Sequence, residues 1–388
     1  MNFALTDLAL LCALGSSHTE ISENALRGVA PGMRRIAETV PGKNFFFGSL
    51  VRDLPEAETA EENLRCNRIL LALVQQLAPS LQRLRERYRP ERVGLVLGTS
   101  NTGVEEAQRA VNVWLETQAC PPEFSLSALE LGTPAVFLKK ITGFGGPAFS
   151  VSTACSSGTK AFASARNLLK NEVCDAVIVG GVDSLCRFAM NGFFTLQALD
   201  ENRALPMSRN RAGINLGEGG ALFVMERGNA GIGVLGVGES SDAYHLTAPH
   251  PEGLGAKAAM AAALADANLS AADIDYINLH GTGTLHNDAM ESRAVYEIFG
   301  GNVLCSSSKP LTGHALGASG AIEAGLAWLL LKRGCGVIPH VFDGERDETL
   351  APIRLASATD AAVPVRKILS NSFAFGGSNA YVILGEIS

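Results

Sequence analysis

The chain carries little that would tie it to nucleic acid, metal or membrane. Charged residues make up 18% of its 388 positions, the net charge is −7, and no block of Lys or Arg stands out. A polyanion or an anionic bilayer therefore meets no general attraction, and an acidic partner has to be met by a local basic patch. The eight cysteines are scattered at positions 12, 66, 120, 155, 174, 186, 305 and 335, with no pair at the short spacing of a zinc site or a redox dithiol. A chain of this length is no disulfide scaffold either, so a reducing, cytoplasmic setting is expected. There is no phosphate-binding loop ending in Gly-Lys-Ser/Thr, no dinucleotide fingerprint after the first strand and no helical zinc pair. His280 and His286 are six apart, which is no ligand spacing on one element, and no metal is expected. The longest apolar stretch, 324–331, falls short of the ~20 residues of a membrane helix. Asp7 interrupts the apolar N-terminus, which lacks a basic region and reads poorly as a signal peptide.

What is present is core and turns. Hydrophobic residues reach 47%, and there are 41 glycines. The length suffices for two domains or one large duplicated one. Apolar runs at 93–98, 176–181, 274–279 and 381–384 end in Gly-rich turns, and helical stretches follow at 159–169, 256–267 and 321–332. Continuous apolar strands between helices predict an α/β protein whose sheets are covered on both faces. The polar, Gly-rich stretch 226–231 marks the candidate boundary between halves spanning 1–227 and 228–388. The halves share no visible residue pattern.

Four segments carry chemistry. In Val151-Ser152-Thr153-Ala154-Cys155-Ser156-Ser157-Gly158, a strand gives way to small residues and then to a helix. A thiol there meets free backbone N–H groups and the positive end of the helix dipole. Both stabilise a thiolate, so Cys155 is expected to be a nucleophile with a lowered pKa. The other seven cysteines read as structural. In 279–284 a strand delivers His280 into a Gly/Thr turn. Its small residues admit a substrate, and its hydroxyls can bind amide groups. A lone histidine after a strand is more often structural, so His280 gains weight only beside the other segments. The third segment, 306–320, holds Lys309 and His314 five apart in a Gly/Ser-rich loop, with Glu323 following close enough to pair with Lys309. The loop is otherwise poor in charge, so that ammonium needs a buried partner. In the fourth, Asn371-Ser372-Phe373-Ala374-Phe375-Gly376-Gly377, two phenylalanines sit against a double glycine, a form suited to an apolar lid.

In order and spacing these segments resemble the elongating β-ketoacyl-acyl-carrier-protein synthases of the thiolase superfamily. The resemblance implies a thiolase-like α/β fold, two similar halves in a layered α-β-α-β-α arrangement, and a dimer, either with itself or with a related ketosynthase or chain-length-factor subunit. It implies that Cys155 takes an acyl chain from an acyl carrier protein, and that the backbone N–H groups of Cys155 and Phe375 form an oxyanion hole. His280 and His314 would bind the malonyl thioester oxygen as carbon dioxide leaves, with Lys309 and Glu323 holding them. Thr282 and Thr284 would bind the phosphopantetheine arm, Phe375 would gate the acyl pocket, and Phe373 and Asn101 would border the substrate. No cofactor is implied beyond the arm on the carrier. Arg65, Arg68, Arg203, Arg209 and Arg211 are candidates for the basic patch that meets an acidic carrier. The chain also departs from the family. The usual Val-rich first strand is missing, Leu205-Pro206-Met207-Ser208 stands where Arg-Pro-Phe-Asp is common, and Asn101 occupies a position that is often aliphatic. These departures point to a specialised polyene or polyketide pathway.

Other readings compete. A Cys-His acyl hydrolase would use Cys155, one histidine and Glu323, but leaves a histidine and a lysine without a task. A chain-length-factor-like subunit would lack the nucleophile that is present here. A thiolase would need a second late cysteine, and Cys335 lies in a plain turn.

Overall fold

The structure is a computed structural model that describes residues 1–40 and 42–387. Its strands are Phe3–Leu11 (β1), Met33–Val40 (β2), Lys43–Gly48 (β3), Val93–Gly98 (β4), Ala148–Val151 (β5), Ala176–Asp183 (β6), Gly219–Arg227 (β7), Gly231–Ser241 (β8), Tyr276–Leu279 (β9), Leu304–Ser307 (β10), Arg354–Leu355 (β11), Lys367–Ala374 (β12) and Ser378–Ile387 (β13). Its helices are His18–Arg27 (α1), Arg65–Gln76 (α2), Ala78–Arg87 (α3), Val104–Thr117 (α4), Thr133–Thr142 (α5), Ser157–Lys170 (α6), Arg187–Thr195 (α7), Leu254–Asp266 (α8), Leu285–Phe299 (α9), Lys309–Thr312 (α10) and Ser319–Arg333 (α11).

Strand order exposes a duplication that the residues hide. The main sheet runs β11-β10-β9-β12-β13-β8-β1-β7-β6-β4-β5. From each rim inward, both halves place their third, second, fourth, fifth and first strands in turn, with β11 added outside β10. The directions repeat as well. β4 is parallel to β5 and β6, as β9 is to β10 and β12, while β7 and β13 run antiparallel to their neighbours. The halves meet where β1 pairs with β8 at Ala4 and Gly233. Chain geometry is thus repeated without repeated residues, because burial asks only for apolar character and size.

The layers follow from which surfaces are apolar. β4 and β6 are buried along their whole length, as strands covered on both faces must be. Helices α2 and α5 cover the outer face of the first half, and α8 covers that of the second. Between the two halves of this sheet lie α6 and α11, in contact with each other and with strands of both halves. The long buried run of α11, from Ser319 to Leu331, has no solvent face, which is why its sequence lacks a polar stripe. One expectation is corrected here. The first strand is present as β1 and central to the sheet, but it is built from Phe, Ala and Leu (FALTDLALL) in place of valine. All of its residues but Thr6 and Asp7 are buried.

Glycine sets the spacing of the middle layer. A Cβ on Gly158, at the start of α6, would come within 2.8 Å of both the Ala321 nitrogen and the Gly317 oxygen. Those atoms are backbone and cannot swing aside. Gly158→Ala is therefore expected to destabilise the fold by about 1–3 kcal/mol. It should be read as a fall in the denaturant midpoint at constant slope. An unchanged midpoint would mean that α6 and α11 part freely.

Candidate active site

Both halves feed one cleft from the ends of their strands. After β5 the chain turns sharply through Ala154, which holds a left-handed φ of 52° without being glycine. Such a conformation costs of order 1–3 kcal/mol and persists only where its surroundings impose it. Here the Thr153 N–H donates to Ser157 Oγ at 2.9 Å, and Ser156 Oγ donates to the Thr153 oxygen at 2.8 Å. Ser156 Oγ also meets Ser378 Oγ of β13 at 3.0 Å, which ties the turn to the other half. The turn presents Cys155 just ahead of α6.

From the second half, β9 delivers His280, α10 delivers Lys309, and the loop before α11 delivers His314. Lys309 Nζ donates to Glu323 Oε1 at 2.6 Å and to His280 Nδ1 at 3.3 Å. Both charges are almost wholly enclosed, at 1% and 2% side-chain exposure. With Nδ1 accepting from an ammonium, the proton of neutral His280 sits on Nε2, so that edge is a donor. His314 Nε2 lies 2.9 Å from Cys155 Sγ, and its Nδ1 lies 2.9 Å from Ser319 Oγ. The two imidazoles meet edge to face, with ring centres 5.3 Å apart. Burial, reinforced by Lys309, holds both histidines well below their ordinary pKa, so both are neutral.

One expectation fails at the nucleophile. Burial pushes the Cys155 thiol up to about 12, although Lys309 pulls it down. The free enzyme holds a thiol, because desolvation outweighs the nearby ammonium and the Cys155 backbone N–H. Its proton has a ready acceptor in His314 Nε2.

A cavity of about 570 Å³ covers these groups, and Cys155, His280, His314, Thr282, Thr284, Phe373 and Phe375 all line it. The two threonine hydroxyls bond each other at 2.9 Å. Phe375 stacks on Phe193 with ring centres 5.6 Å apart, and Phe373 meets His280 edge to face. Asn101 is corrected. It is buried away from this cavity, and its amide donates to the Ser184 oxygen. The arginine patch is corrected as well. Arg211 is buried and its guanidinium is bound to Asp347 at 2.6 Å. Arg65 is tied to the buried Glu218 at 2.6 Å, Arg68 to the carbonyls of Leu54 and Pro55, and Arg203 to that of Pro310. Arg209, the exposed member, pairs with Glu345. Arg211 is thus enclosed, while Arg65, Arg68 and Arg203 stay half-buried and Arg209 exposed, each with a partner in the chain.

Two buried carboxylates escaped notice in the sequence. Glu291 accepts from the N–H groups of His280 and Gly281, both at 2.7 Å, and from the Asn371 amide at 2.9 Å. It thus fixes the His280 turn to the Phe373 segment. Asp183 accepts from Thr99 Oγ1 at 2.8 Å, from the Ser100 N–H at 2.9 Å and from the Gly317 N–H at 2.6 Å, joining the halves beside His314. The one available signal was an acid closing an otherwise apolar strand. No group of three or more His, Cys, Asp or Glu suited to a metal occurs among the described residues, and no helix there is long and apolar enough to cross a membrane.

A thiol able to take an acyl group, facing two neutral imidazoles where an enolate oxygen would form, describes a carbon–carbon bond-forming acyltransferase. The models of the β-ketoacyl synthase N-terminal and C-terminal domains match residues 54–230 and 233–343. The chain belongs to the β-ketoacyl synthase family, and it is a condensing enzyme. It is 30% identical to 3-oxoacyl-acyl-carrier-protein synthase 2 of Staphylococcus aureus (strain COL), over 98% of this chain and 97% of that one. Nodulation protein E of Rhizobium meliloti is 32% identical over 76% of each chain. A chain of the ketosynthase–chain length factor complex from Xenorhabdus doucetiae superposes with a TM-score of 0.95 and 41% identity, covering 99% of this chain and 98% of its own.

Two measurements test the site. With the thiol near 12, about one molecule in ten thousand is thiolate at pH 8. Alkylation of Cys155 by iodoacetamide should therefore climb about tenfold per pH unit through pH 10. A plateau below pH 8 would show that His314 already holds the proton at rest. Lys309→Met leaves Glu323 charged, buried and unpaired, and is expected to cost about 3–5 kcal/mol in denaturant unfolding. Adding Glu323→Leu should recover most of that stability without recovering condensation.

Proposed function

We propose that the enzyme extends an acyl chain held on Cys155 with a malonyl unit delivered by an acyl carrier protein. The observation that carries the reading is the Cys155–His314 contact beside the Lys309-bound His280. In the first half-reaction the Cys155 sulfur attacks the carrier thioester. His314 Nε2 takes the thiol proton and returns it to the departing pantetheine sulfur. The backbone N–H groups of Cys155 and Phe375 bind the carbonyl oxygen as it becomes anionic.

In the second half-reaction the bond between the malonyl methylene carbon and its carboxylate breaks. Carbon dioxide leaves, and the electron pair becomes an enolate. His280 Nε2–H points to the enolate oxygen, and His314 Nε2 is the second donor. The Ser319 hydroxyl can accept from Nδ1–H or donate to a bare Nδ1, so it supports either neutral tautomer. With the proton on Nδ1, the ring accepts at Nε2 in the first half-reaction. Once Nδ1 has lost its proton to solvent and Nε2 has gained one between the half-reactions, Nε2 donates in the second. The enolate carbon attacks the acyl carbonyl, the new carbon–carbon bond forms, and the Cys155 sulfur is released. Lys309 and Glu323 hold the histidine pair. Thr282 and Thr284 bind the arm, Phe373 borders the acyl group, and Phe375 gates it. The arm of the carrier is the only prosthetic group this chemistry needs.

The enzyme works, in this reading, as two halves spanning 1–227 and 228–388, and pairs with a related subunit of the chain-length-factor type. Exposed Trp114 and Leu115 on α4, Leu126 just beyond it and Phe149 on the edge strand β5 support a partner on that side. So does likeness to a chain from a ketosynthase–chain length factor complex. A specialised polyene or polyketide chain is the product in this reading, on the ground of the chain's departures from the family, such as Leu205-Pro206-Met207-Ser208.

The test is intact-protein mass after mixing with a panel of acyl-loaded carrier proteins, with and without the related subunit. An acyl-sized gain that Cys155→Ala abolishes is the expected result. No gain with any donor would overturn the assignment of Cys155. Equal or better transfer of saturated than of unsaturated chains would overturn the polyene reading.

A further inference from the structure

His340 lies outside all four motif segments, yet like the two catalytic candidates it is buried, at 6% exposure. Both of its ring nitrogens are committed. Nδ1 accepts from the Ser307 backbone N–H at 3.2 Å, and Nε2 donates to the Pro206 carbonyl at 2.8 Å. A backbone N–H can only donate and a carbonyl can only accept, so the ring is neutral with its proton on Nε2. Burial agrees, holding the imidazole at about 4. The His340 backbone is itself anchored, its N–H donating to the Ala356 oxygen at 2.8 Å. Phe342 packs against the ring with centres 5.1 Å apart.

Ser307 is the last residue of β10, and its hydroxyl has two tasks. Oγ donates to the Gly281 oxygen at 2.7 Å and accepts from the Lys309 N–H at 3.2 Å. Gly281 follows His280 directly, and Lys309 opens α10. One imidazole therefore reaches, through a single serine, the backbones of both the enolate-binding histidine and the lysine that sets its tautomer. His340 also lines an open groove with Arg346 and Arg354.

We propose that His340 is a positioning residue for condensation, clamping the end of β10 so that Ser307 holds His280 and Lys309 in register. This rests on the roles given above to His280 and Lys309. The bond that matters is the one from Nδ1 to Ser307, while the bond to Pro206 only orients the ring. Cys155 stands on another segment. His314, five residues beyond Lys309, has anchors of its own in the Asn215 oxygen, which its N–H meets at 2.7 Å, and in Ser319 Oγ. Acylation of the thiol is therefore expected to depend on this clamp far less than decarboxylation does.

The two nitrogens can be separated by substitution. In His340→Asn the amide oxygen falls near the former Nδ1 and keeps the Ser307 bond, while the Pro206 bond is lost. In His340→Gln the amide reaches toward the former Nε2, and the Ser307 bond is lost. Decarboxylation of malonyl-loaded carrier protein and acylation of Cys155 should be measured separately in wild type, in both variants and in Ser307→Ala, alongside melting temperatures. His340→Gln and Ser307→Ala are expected to lose about tenfold or more in decarboxylation kcat, the scale of cost for a displaced catalytic group. KM and the acylation rate should hold, and His340→Asn should stay within about threefold of wild type. The reverse order of the two His340 variants, or equal losses that follow their melting temperatures, would overturn the proposal. Should His340→Gln fail to fold, Ser307→Ala decides, because it leaves the ring buried: an unchanged decarboxylation kcat overturns the proposal and a selective loss upholds it. Acylation of the wild type reports separately on the reading of the site itself.

Discussion

Everything at the centre of this molecule depends on one ammonium kept out of water. Lys309 sits between Glu323 and His280, and no other arrangement of those groups is tolerable in so dry a place. The pairing with Glu323 offsets part of the cost of burying charge. The contact with His280 fixes which nitrogen of that ring carries hydrogen, and the ammonium helps to keep both imidazoles neutral and lowers the neighbouring thiol. A single charge thus tunes three groups. A surface lysine could not do this, since solvent would screen it at these distances.

The need to hold that charge explains the rest of the frame. Backbone turns made of Gly, Ser and Thr are pliable, and each catalytic turn here is fastened by a buried acid or hydroxyl. Glu291 holds the His280 turn, Asp183 joins the Gly98–Asn101 turn to Gly317, and Thr159 meets Ser372 across the halves at 2.7 Å. The strain at Ala154 is sustained by the same kind of local bonding. Rigidity comes from many short bonds to small residues and not from bulk.

Much of this was legible from residues alone, and what was missed shares a cause. Strands 93–98 and 176–181 and the helices that flank the motifs were readable because continuous apolar runs and helical spacing report burial directly. The Lys309–Glu323 pair was readable because a charge in an uncharged loop asks for a partner, and Cys155 stood out by its strand–turn–helix setting. His280 and His314 gained weight only in company, and the structure brings all five together. Glu291, Asp183 and His340 were not, since each serves backbone atoms far away in sequence, and such service leaves no local pattern. The arginines misled for the same reason. Arg211 and Arg65 look like surface charge until their carboxylates arrive from elsewhere in the chain. The lowered thiol pKa was an error of magnitude: Lys309 and the Cys155 backbone N–H pull the thiol down, but burial is larger.

The repeated strand order has a consequence for how such an enzyme can change. One half supplies the sulfur and the other supplies the imidazoles and the ammonium, from topologically equivalent frames joined by a few cross-bonds. The nucleophile and the groups that activate its partners are therefore encoded in separate stretches of gene. Drift in the first stretch can reshape the ground around the thiol while the enolate chemistry in the second stays untouched. A lineage can diversify its products by editing half a protein.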